Sequence, residues 1–322
     1  MKMMSLLNIG QRVGQTMEKN KYINQADKQY NELVQKIITN GYSDVDEEVR
    51  PRWKDGTPAH TLSVIGEKMT FDNSQVPIIT SKRVGWKTAI KELLWIWQMK
   101  SNRVQDLRDM GVNIWNEWEL EDGTIGKAYG YQLAKKNRKM GGHSNAMKVI
   151  DSMFKVIDRK GLNYNILDQV DYLLYQLKTN PSSRRHITTL WNPDDLDDMS
   201  LTPCVYETQW HVKENKLHLE VRCRSNDMGL GNPFNIFQYN VLQRMIAQVL
   251  GYELGEYIYH IGDAHIYDRH VEPLTEQINR ETFELPQLWI NPDVKNFYDF
   301  KPEDFKLIDY KYGEDISLEV AI

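Results

Sequence analysis

The sequence of 322 residues contains only two cysteines, Cys204 and Cys223. Two thiols exclude a disulfide-rich scaffold and any site built from four thiolates, and they favour a reducing cytoplasm. No apolar run approaches the roughly 18 residues of a membrane-spanning helix, and residues 1–29 lack the apolar centre of a signal peptide. These absences predict a cytoplasmic protein without a membrane partner.

An excess of positive charge is missing as well. The 45 Asp and Glu residues outnumber the 40 Lys and Arg residues, which gives a net charge of −5. A protein that binds nucleic acid in bulk usually carries a basic excess, so this balance argues against that class. It still allows a local basic pocket, because clustered arginines can focus a positive field within an acidic protein.

The composition that remains is that of an ordinary globular enzyme, with 41% hydrophobic, 26% charged and 11% aromatic residues. We predict an N-terminal extension over residues 1–25 and one catalytic domain over residues 26–322. Glycine, serine and asparagine interrupt residues 139–165, and we interpret this stretch as a peripheral insertion rather than a domain boundary.

Helices and strands alternate along the chain, which predicts a single α/β or α+β domain with a central sheet. Helical spacing of apolar residues predicts helices over 29–38, 86–99, 170–177 and 233–250. Alternation predicts a strand pair within 61–71, single strands over 186–191, 257–261 and 308–312, and a hairpin of 205–212 with 217–223. Residues 194–198 are predicted to form an acidic loop.

Cys204 stands at the head of the first hairpin strand. A lone cysteine is more often a small buried hydrophobe than a nucleophile. Pairing around a two-residue loop at 214–215 places Cys204 opposite Ser225 and beside Arg224, although a slip of one residue would swap the faces. A guanidinium there would lower the pKa of the thiol and could bind an anion together with the serine hydroxyl. Cys223 is assigned to the core.

Several other polar residues each allow two interpretations. Arg184 and Arg185 follow a Pro-Ser-Ser turn and form either a solvated turn or a phosphate clamp, and Arg50 and Arg52 carry the same ambiguity. Glu92 lies on an apolar helix, where a carboxylate serves either a buried salt bridge or proton handling.

Asn235 opens the long helix over 233–250, either as its cap or as an amide that matches N3–H and O4 of uracil. Asp263, His265 and Tyr267 alternate with small or apolar residues, which places three polar groups on one side of a strand end. A metal there is disfavoured, because no second His, Cys or Asp cluster has matching spacing.

Together these segments resemble the thymidylate synthase family, which methylates dUMP with a folate. The resemblance runs from about residue 27 to the end without 139–165, and it is close to the longer-loop form found in some bacilli and their phages. It is carried by Thr202-Pro203-Cys204, by 223–227 with 231–236, by 262–267, by the arginine pair at 182–185, by 114–118 and 128–130, and by the ending 319–322.

Three positions depart from the pattern of many members of this family. Val205 stands where many have histidine, and Asn116 stands where many have aspartate. The segment around Arg50 is longer, which leaves Arg50 and Arg52 as alternatives for one phosphate ligand.

The resemblance implies a mechanism in which Cys204 attacks C6 of dUMP. Its co-substrate would be 5,10-methylenetetrahydrofolate, with no metal, and the products would be dTMP and dihydrofolate. The implied catalytic residues are Cys204, Glu92, Tyr129, Arg224, Asn235 and Asp227. The implied dUMP ligands are Arg50, Arg184, Arg185, Arg224, Ser225, Asn235, His265 and Tyr267. The implied folate site consists of Trp115, Trp118, Asp227, Gly231, Phe234 and Ala321.

The resemblance also implies a mostly antiparallel or mixed sheet flanked by helices and a homodimer formed through that sheet. Arg184 and Arg185 would cross to the partner's site, and no nucleic acid would be required. Two alternatives stay open at this point. One is a dUMP hydroxymethylase on the same fold, and the other is an RNA-binding regulator that has lost catalysis.

Overall fold

The computed structural model describes residues 24–136, 138–139 and 166–322. The predicted N-terminal extension at 1–25 and the insertion at 139–165 therefore lie almost wholly outside the described residues. The helices are α1 (Gln25–Asn40), α2 (Trp86–Leu93), α3 (Val104–Asp109), α4 (Gly130–Ala134), α5 (Gln169–Thr179), α6 (Gly231–Leu250) and α7 (Val271–Gln277). The strands are β1 (Tyr42–Ser43), β2 (Thr61–Phe71), β3 (Arg138–Lys139), β4 (Ile166–Leu167), β5 (His186–Thr189), β6 (Val205–Lys213), β7 (Lys216–Asp227), β8 (Glu253–Tyr267), β9 (Gln287–Ile290) and β10 (Phe305–Ile308).

A six-stranded mixed sheet forms the centre of the fold, in the order β1-β2-β8-β7-β6-β5. Its neighbours are antiparallel except β7 and β8, which run parallel. Such a pair needs a crossover, and α6 supplies it. The predicted fold class of a mixed sheet flanked by helices is confirmed. The predicted strand pair within 61–71 is wrong, because β2 runs unbroken alongside β8 over its whole length.

The long helix α6 packs against β7, β8 and α2 and so covers one face of the sheet. It begins at Gly231, two residues before the prediction, and ends at Gly251, whose φ of 77° is the left-handed conformation that glycine favours at a helix end. The predicted helix over 86–99 is α2 followed by a wider π-helical turn, Leu94–Gln98. Within the described residues no helix has the length and apolar character to cross a membrane.

Two further predictions need correction, one of a loop and one of a strand. The acidic stretch 194–198 is not a plain loop but part of a 3₁₀ helix, Pro193–Asp198, which the Asn192 side chain caps. The predicted strand over 308–312 overlaps β10 only at Ile308. Tyr310 lies outside any strand. Its hydroxyl donates to the carbonyl of Ile79 at 2.9 Å, and its ring packs against the core.

The hairpin of β6 and β7 turns at Glu214 and Asn215, whose φ values of 50° and 62° fit a two-residue hairpin turn. The predicted register holds from this turn to the pair of Glu207 with Arg222. A β-bulge at Tyr206 then shifts the pairing by one residue. The Arg224 amide donates to the Cys204 carbonyl at 2.8 Å, so Cys204 lies opposite Arg224 and the predicted partner Ser225 is wrong.

Gly262 of β8 lies level with Gly66 of β2 and with Arg224 of β7. It pairs with neither of them, while the residues on both sides pair in unchanged register. A side chain on Gly262 would place its Cβ 2.7 Å from the Arg224 carbonyl oxygen. Only glycine allows this close approach to Arg224, the residue that lies opposite Cys204.

The two faces of the sheet differ in their environment. Side chains such as Val221, Tyr257 and Tyr259 are fully buried under the helices. The opposite face is polar and half-buried, with Glu220 within 3.3 Å of His211 and 3.1 Å of His260. No helix of the described residues covers that face.

Candidate active site

The backbone around Cys204 is held from both sides. Its amide donates to the Tyr129 hydroxyl at 3.2 Å. The Arg224 guanidinium donates to the Pro203 carbonyl at 3.0 Å and to the Thr202 carbonyl at 2.9 Å. These bonds fix the position of the half-buried sulfur at the head of β6.

Burial raises the pKa of the Cys204 thiol above its ordinary value, and the charges of Arg224 and Arg50 only partly oppose this rise. The expectation that Arg224 lowers the pKa is therefore wrong in its net direction. The physical reason is that the pocket removes the sulfur from water. The Arg224 guanidinium is hydrogen-bonded to the carbonyls of Thr202 and Pro203. Cys223 is buried in the core, as predicted.

Glu92 is a buried carboxylate whose hydrogen-bond partners are neutral. Its two oxygens accept from Nε1 of Trp115 at 2.6 Å and from Nε2 of Gln238 at 2.7 Å. Burial raises the pKa of Glu92, and both donors act in the opposite direction. Among the described residues this carboxylate has no ion-pair partner and is balanced instead by N–H donors from α6 and from the Trp115 segment, which disfavours the salt-bridge interpretation. A buried carboxyl with a raised pKa suits proton handling.

An aromatic row connects Glu92 with Cys204. Trp115 makes edge contacts with Trp118 at 5.7 Å and with Tyr129 at 5.1 Å between ring centres. Burial raises the pKa of Tyr129 well above its ordinary value, so its hydroxyl keeps its proton. The residue before α4 is thus a neutral phenol that can donate a hydrogen bond while it accepts one from Cys204.

The loop that enters α6 is held by polar residues of the 223–236 motif. Oδ1 of Asn235 accepts from Asn226 at 3.1 Å, and Asn235 lies inside α6, so the capping interpretation is wrong. The carboxylate of Asp227 accepts the amides of Gly229 at 2.7 Å and Leu230 at 3.2 Å. Gly231 begins α6 beside Asn226 and Asn235.

The end of β8 brings polar groups next to the same loop. Nδ1 of His265 lies 2.9 Å from Oδ1 of Asp263, and its ring centre lies 5.3 Å from that of Tyr267. Burial raises the pKa of Tyr267 to about 12. Ser225 and Asp227 of β7 pair with Asp263 and His265, which places the two motifs side by side.

The four candidate arginines differ in where they lie. Arg52 donates its guanidinium to the Val49 carbonyl at 2.6 Å, whereas the charge of Arg50 lowers the pKa of both Cys204 and Tyr267. The charge of Arg50 thus acts on two residues of the candidate site, whereas the guanidinium of Arg52 is bound to the backbone beside it. Arg184 and Arg185 are exposed before β5 and make no hydrogen bond to the other candidate residues of the described chain.

The C-terminal residues lie against the segment that follows Arg50. Ile322 and Arg52 exchange two backbone hydrogen bonds of 2.9 and 2.7 Å, which places Ala321 at this edge. The Glu319 carboxylate accepts from the Lys54 amide at 3.1 Å and from Arg269 at 2.9 Å. Nε2 of His270 donates to the Glu319 carbonyl at 2.8 Å.

A groove of about 390 Å³ is lined by Phe234, Gly229 and Lys82 and by the tail at 315–317. Burial lowers the pKa of Lys82 to about 8, and its amine donates to the Gly229 carbonyl at 2.5 Å. Among the described residues no group of His, Cys, Asp or Glu side chains has the arrangement of a metal site.

Sequence reasoning missed Gln238, Lys82 and His270. Gln238 had a usable signal, because it lies three residues after Asn235 and so on the same side of α6. Lys82 and His270 had none, since each contacts a segment that is distant in the sequence, at Gly229 and at Glu319 respectively.

The site combines a cysteine with a fixed backbone, two arginines whose charges act on its thiol, and a buried carboxyl. These are features of the class of enzymes that use a cysteine nucleophile beside a site for an anion. The thymidylate synthase family model matches residues 28–322. The chain belongs to the thymidylate synthase family.

Individual relatives agree with the family model. The chain is 66% identical over 297 residues to a thymidylate synthase of Bacillus licheniformis, covering 92% of this chain and 99% of that one. It is 64% identical over 299 residues to the thymidylate synthase of Bacillus phage phi3T, with the same two shares. The solved structure of thermostable thymidylate synthase A from Bacillus subtilis superposes with a TM-score of 0.83 at 64% identity, covering 93% of this chain and 100% of that one. The predicted family and its methyltransferase class are confirmed.

Proposed function

We propose that this chain converts dUMP to dTMP, with 5,10-methylenetetrahydrofolate as donor of the one-carbon unit and the hydride. The observation that carries the proposal is the combination of Cys204, held by Tyr129 and Arg224, with the buried carboxyl of Glu92. Covalent attack by the sulfur on C6 makes C5 of the ring nucleophilic, which divides a difficult substitution into easier steps. The folate supplies the one-carbon unit to C5 and then a hydride.

Glu92 handles protons at O4 and C5 of the pyrimidine in this proposal. Burial raises the pKa of Glu92, so the carboxyl holds a proton more readily than an exposed carboxyl does, and ordered water would connect it with Tyr129 and Asn235. The Asn235 amide offers a donor to O4 and an acceptor to N3–H, which selects uracil. An aspartate there would suit cytosine instead.

The phosphate of dUMP would bind Arg50, Arg224 and Ser225, together with Arg184 and Arg185 from a second copy of the chain. Planar guanidinium groups fit phosphate oxygens in pairs. The exposed position of Arg184 and Arg185 supports their donation to a partner. His265 and Tyr267 at the end of β8 would hold the deoxyribose hydroxyl.

The folate would lie between the aromatic row and the C-terminal tail. Trp115, Trp118 and Phe234 offer flat apolar surfaces, and Asp227, Gly231 and Ala321 border them. The groove beside Phe234 also contains Lys82, a cation suited to the carboxylates of a folate. Closure by the tail would exclude water until hydride moves, which favours methylation over hydroxymethylation.

A homodimer through the uncovered sheet face completes the site in this proposal. The half-buried polar face of β6, β7 and β8 contains an open groove of about 940 Å³ that reaches Arg224 and Trp191. Ile65 on the same sheet is 72% exposed in the single chain. Both cysteines are unpaired, which supports a cytoplasmic location.

The test is to mix the protein with dUMP and 5,10-methylenetetrahydrofolate, follow dihydrofolate by absorbance and identify the nucleotide by mass. We expect dTMP and dihydrofolate in equal amounts, no turnover with Cys204→Ser, and retained turnover with Cys223→Ala as the matched control. Hydroxymethyl-dUMP without dihydrofolate would establish the hydroxymethylase instead. A Cys204→Ser variant that changes no measurable property would indicate a binding module.

A further inference from the structure

Tyr129 has a backbone conformation that its residue type disfavours. Its φ of 44° and ψ of −106° lie outside the regions that non-glycine residues normally occupy. Such a conformation persists only where the surrounding structure determines it. The residues that hold both sides of Tyr129 therefore decide where its hydroxyl meets Cys204.

The buried carboxylate of Asp195 binds residues on both sides of Tyr129 in the sequence. Asp195 belongs to the 3₁₀ helix Pro193–Asp198, in the connection that runs from β5 to Cys204. Before Tyr129, the Lys127 amine lies 3.3 Å from its Oδ1. After Tyr129, Gln132 donates to its Oδ2 at 2.9 Å, and the Lys135 amine also bonds this oxygen. These donors lower the pKa of Asp195 to about 2, so it stays charged near neutral pH.

Further bonds make this region one unit. Gln132 also donates to the Lys127 carbonyl at 2.7 Å, which closes the turn around Tyr129 from inside. The Lys127 amide donates to the Asp198 carbonyl at 2.9 Å, and Asn192 donates to Asp195 at 2.7 Å. The turn is thus fastened to the same connection that ends at Cys204.

We propose that Asp195 is a positioning residue of the reaction, which sets the Tyr129 hydroxyl against Cys204 by binding both sides of the strained turn. The proposal rests on the proposed function, since it gives Tyr129 a part in proton handling at C5. It assigns Asp195 no contact with dUMP or the folate. Misplacement of the hydroxyl by even a fraction of an ångström would slow proton removal and leave nucleotide binding intact.

The experiment compares Asp195→Asn with Asp198→Asn. Asparagine keeps the size of the Asp195 side chain but replaces one acceptor oxygen with an NH₂ group, which cannot accept a hydrogen bond. It also removes the negative charge that attracts Lys127 and Lys135. Asp198 lies on the same 3₁₀ helix and also pairs with Lys127, at 2.7 Å, but its carboxylate binds neither Gln132 nor Lys135. Asp198→Asn therefore controls for the loss of one lysine pair.

For Asp195→Asn we expect kcat to fall tenfold or more, with the Kd of dUMP within twofold of the unsubstituted protein by calorimetry. Deuterium at C5 of dUMP should slow the turnover of Asp195→Asn more than the turnover of Asp198→Asn, because proton removal becomes rate-limiting in Asp195→Asn. A kcat within threefold of Asp198→Asn, or a parallel loss of kcat and dUMP affinity without a larger isotope effect, would overturn the proposal.

A readout without turnover separates this proposal from the proposed function. Amide hydrogen exchange over residues 127–135 should be about tenfold faster in Asp195→Asn than in Asp198→Asn, and equal exchange would overturn the role of Asp195. Absence of dTMP from the unsubstituted protein would refute the proposed function alone. If Asp195→Asn does not fold, Lys135→Gln removes a single bond to the carboxylate, and we expect kcat about threefold lower with unchanged dUMP affinity.

Discussion

The Trp115→Phe substitution tests how the buried carboxyl of Glu92 is balanced. It removes the indole N–H that donates to the carboxylate at 2.6 Å and leaves the Gln238 donor in place. The N–H group stabilises the ionised form, so its loss raises the pKa of Glu92 further above the ordinary value. Phenylalanine retains an aromatic ring between Trp118 and Tyr129.

The size of the shift follows from the strength of the lost bond. A hydrogen bond to a charged group contributes about 1.5–3 kcal/mol, and one pKa unit corresponds to about 1.4 kcal/mol. The Glu92 pKa should therefore rise by about 1–2 units. If turnover needs the ionised carboxylate to accept a proton, the acidic limb of the pH profile moves to higher pH by the same amount.

The assay is the pH dependence of kcat/KM for dTMP formation, read at the midpoint of its acidic limb. Trp118→Phe is the matched control, because Trp118 contacts Trp115 but does not bond Glu92. Both variants alter the proposed folate surface and lower the absolute rate, whereas only Trp115→Phe should move the midpoint. An unmoved midpoint in Trp115→Phe would refute the role assigned to Glu92.

Three further substitutions test other parts of the molecule. Arg185→Ala should weaken dUMP about tenfold and the folate less than twofold in calorimetric titrations, since a lost guanidinium affects the phosphate; equal losses would contradict the assignment. Glu319→Gln should raise the KM of the folate about two- to fivefold, because it breaks the ion pair with Arg269 that holds the tail, and a surface ion pair has a small effect. Its control is Glu276→Gln, which breaks a comparable pair with Arg280, and equal effects would exclude a specific role for the tail. Gly262→Ala should destabilise the protein by about 1–3 kcal/mol in chemical denaturation, because its Cβ would lie 2.7 Å from the Arg224 carbonyl. Unchanged stability would show that the backbone relaxes there.

The fold was predictable where short-range rules decide it. The two-residue turn at 214–215 and the alternation of apolar residues determine the hairpin register over most of its length. The rule fails at Cys204, because a bulge depends on neighbouring strands and leaves no mark in local alternation. The unbroken run of β2 escaped prediction for a similar reason, since it depends on pairing with β8, a strand that lies far away in the sequence.

The candidate site was less predictable because its chemistry depends on burial. A guanidinium beside a thiol predicts a lowered pKa, yet the direction at Cys204 reverses once the pocket excludes water. The partners of Glu92 come from residues 23 and 146 positions away, which no spacing rule connects. Residue types suggested the chemistry, while distances and desolvation determined the protonation states.

The central place of β8 has a consequence for how the chain is made. This strand separates β2 from β7, so the segment before residue 72 and the segment from 186 to 227 have no shared strand edge among the described residues. A ribosome must extend the chain past Tyr267 before the two halves can join into one sheet. Distant pairings of this kind form late and slowly. Until then Cys204 lies on an incomplete sheet, and a nascent chain that stops short of β8 has the cysteine of the proposed site without the residues that surround it.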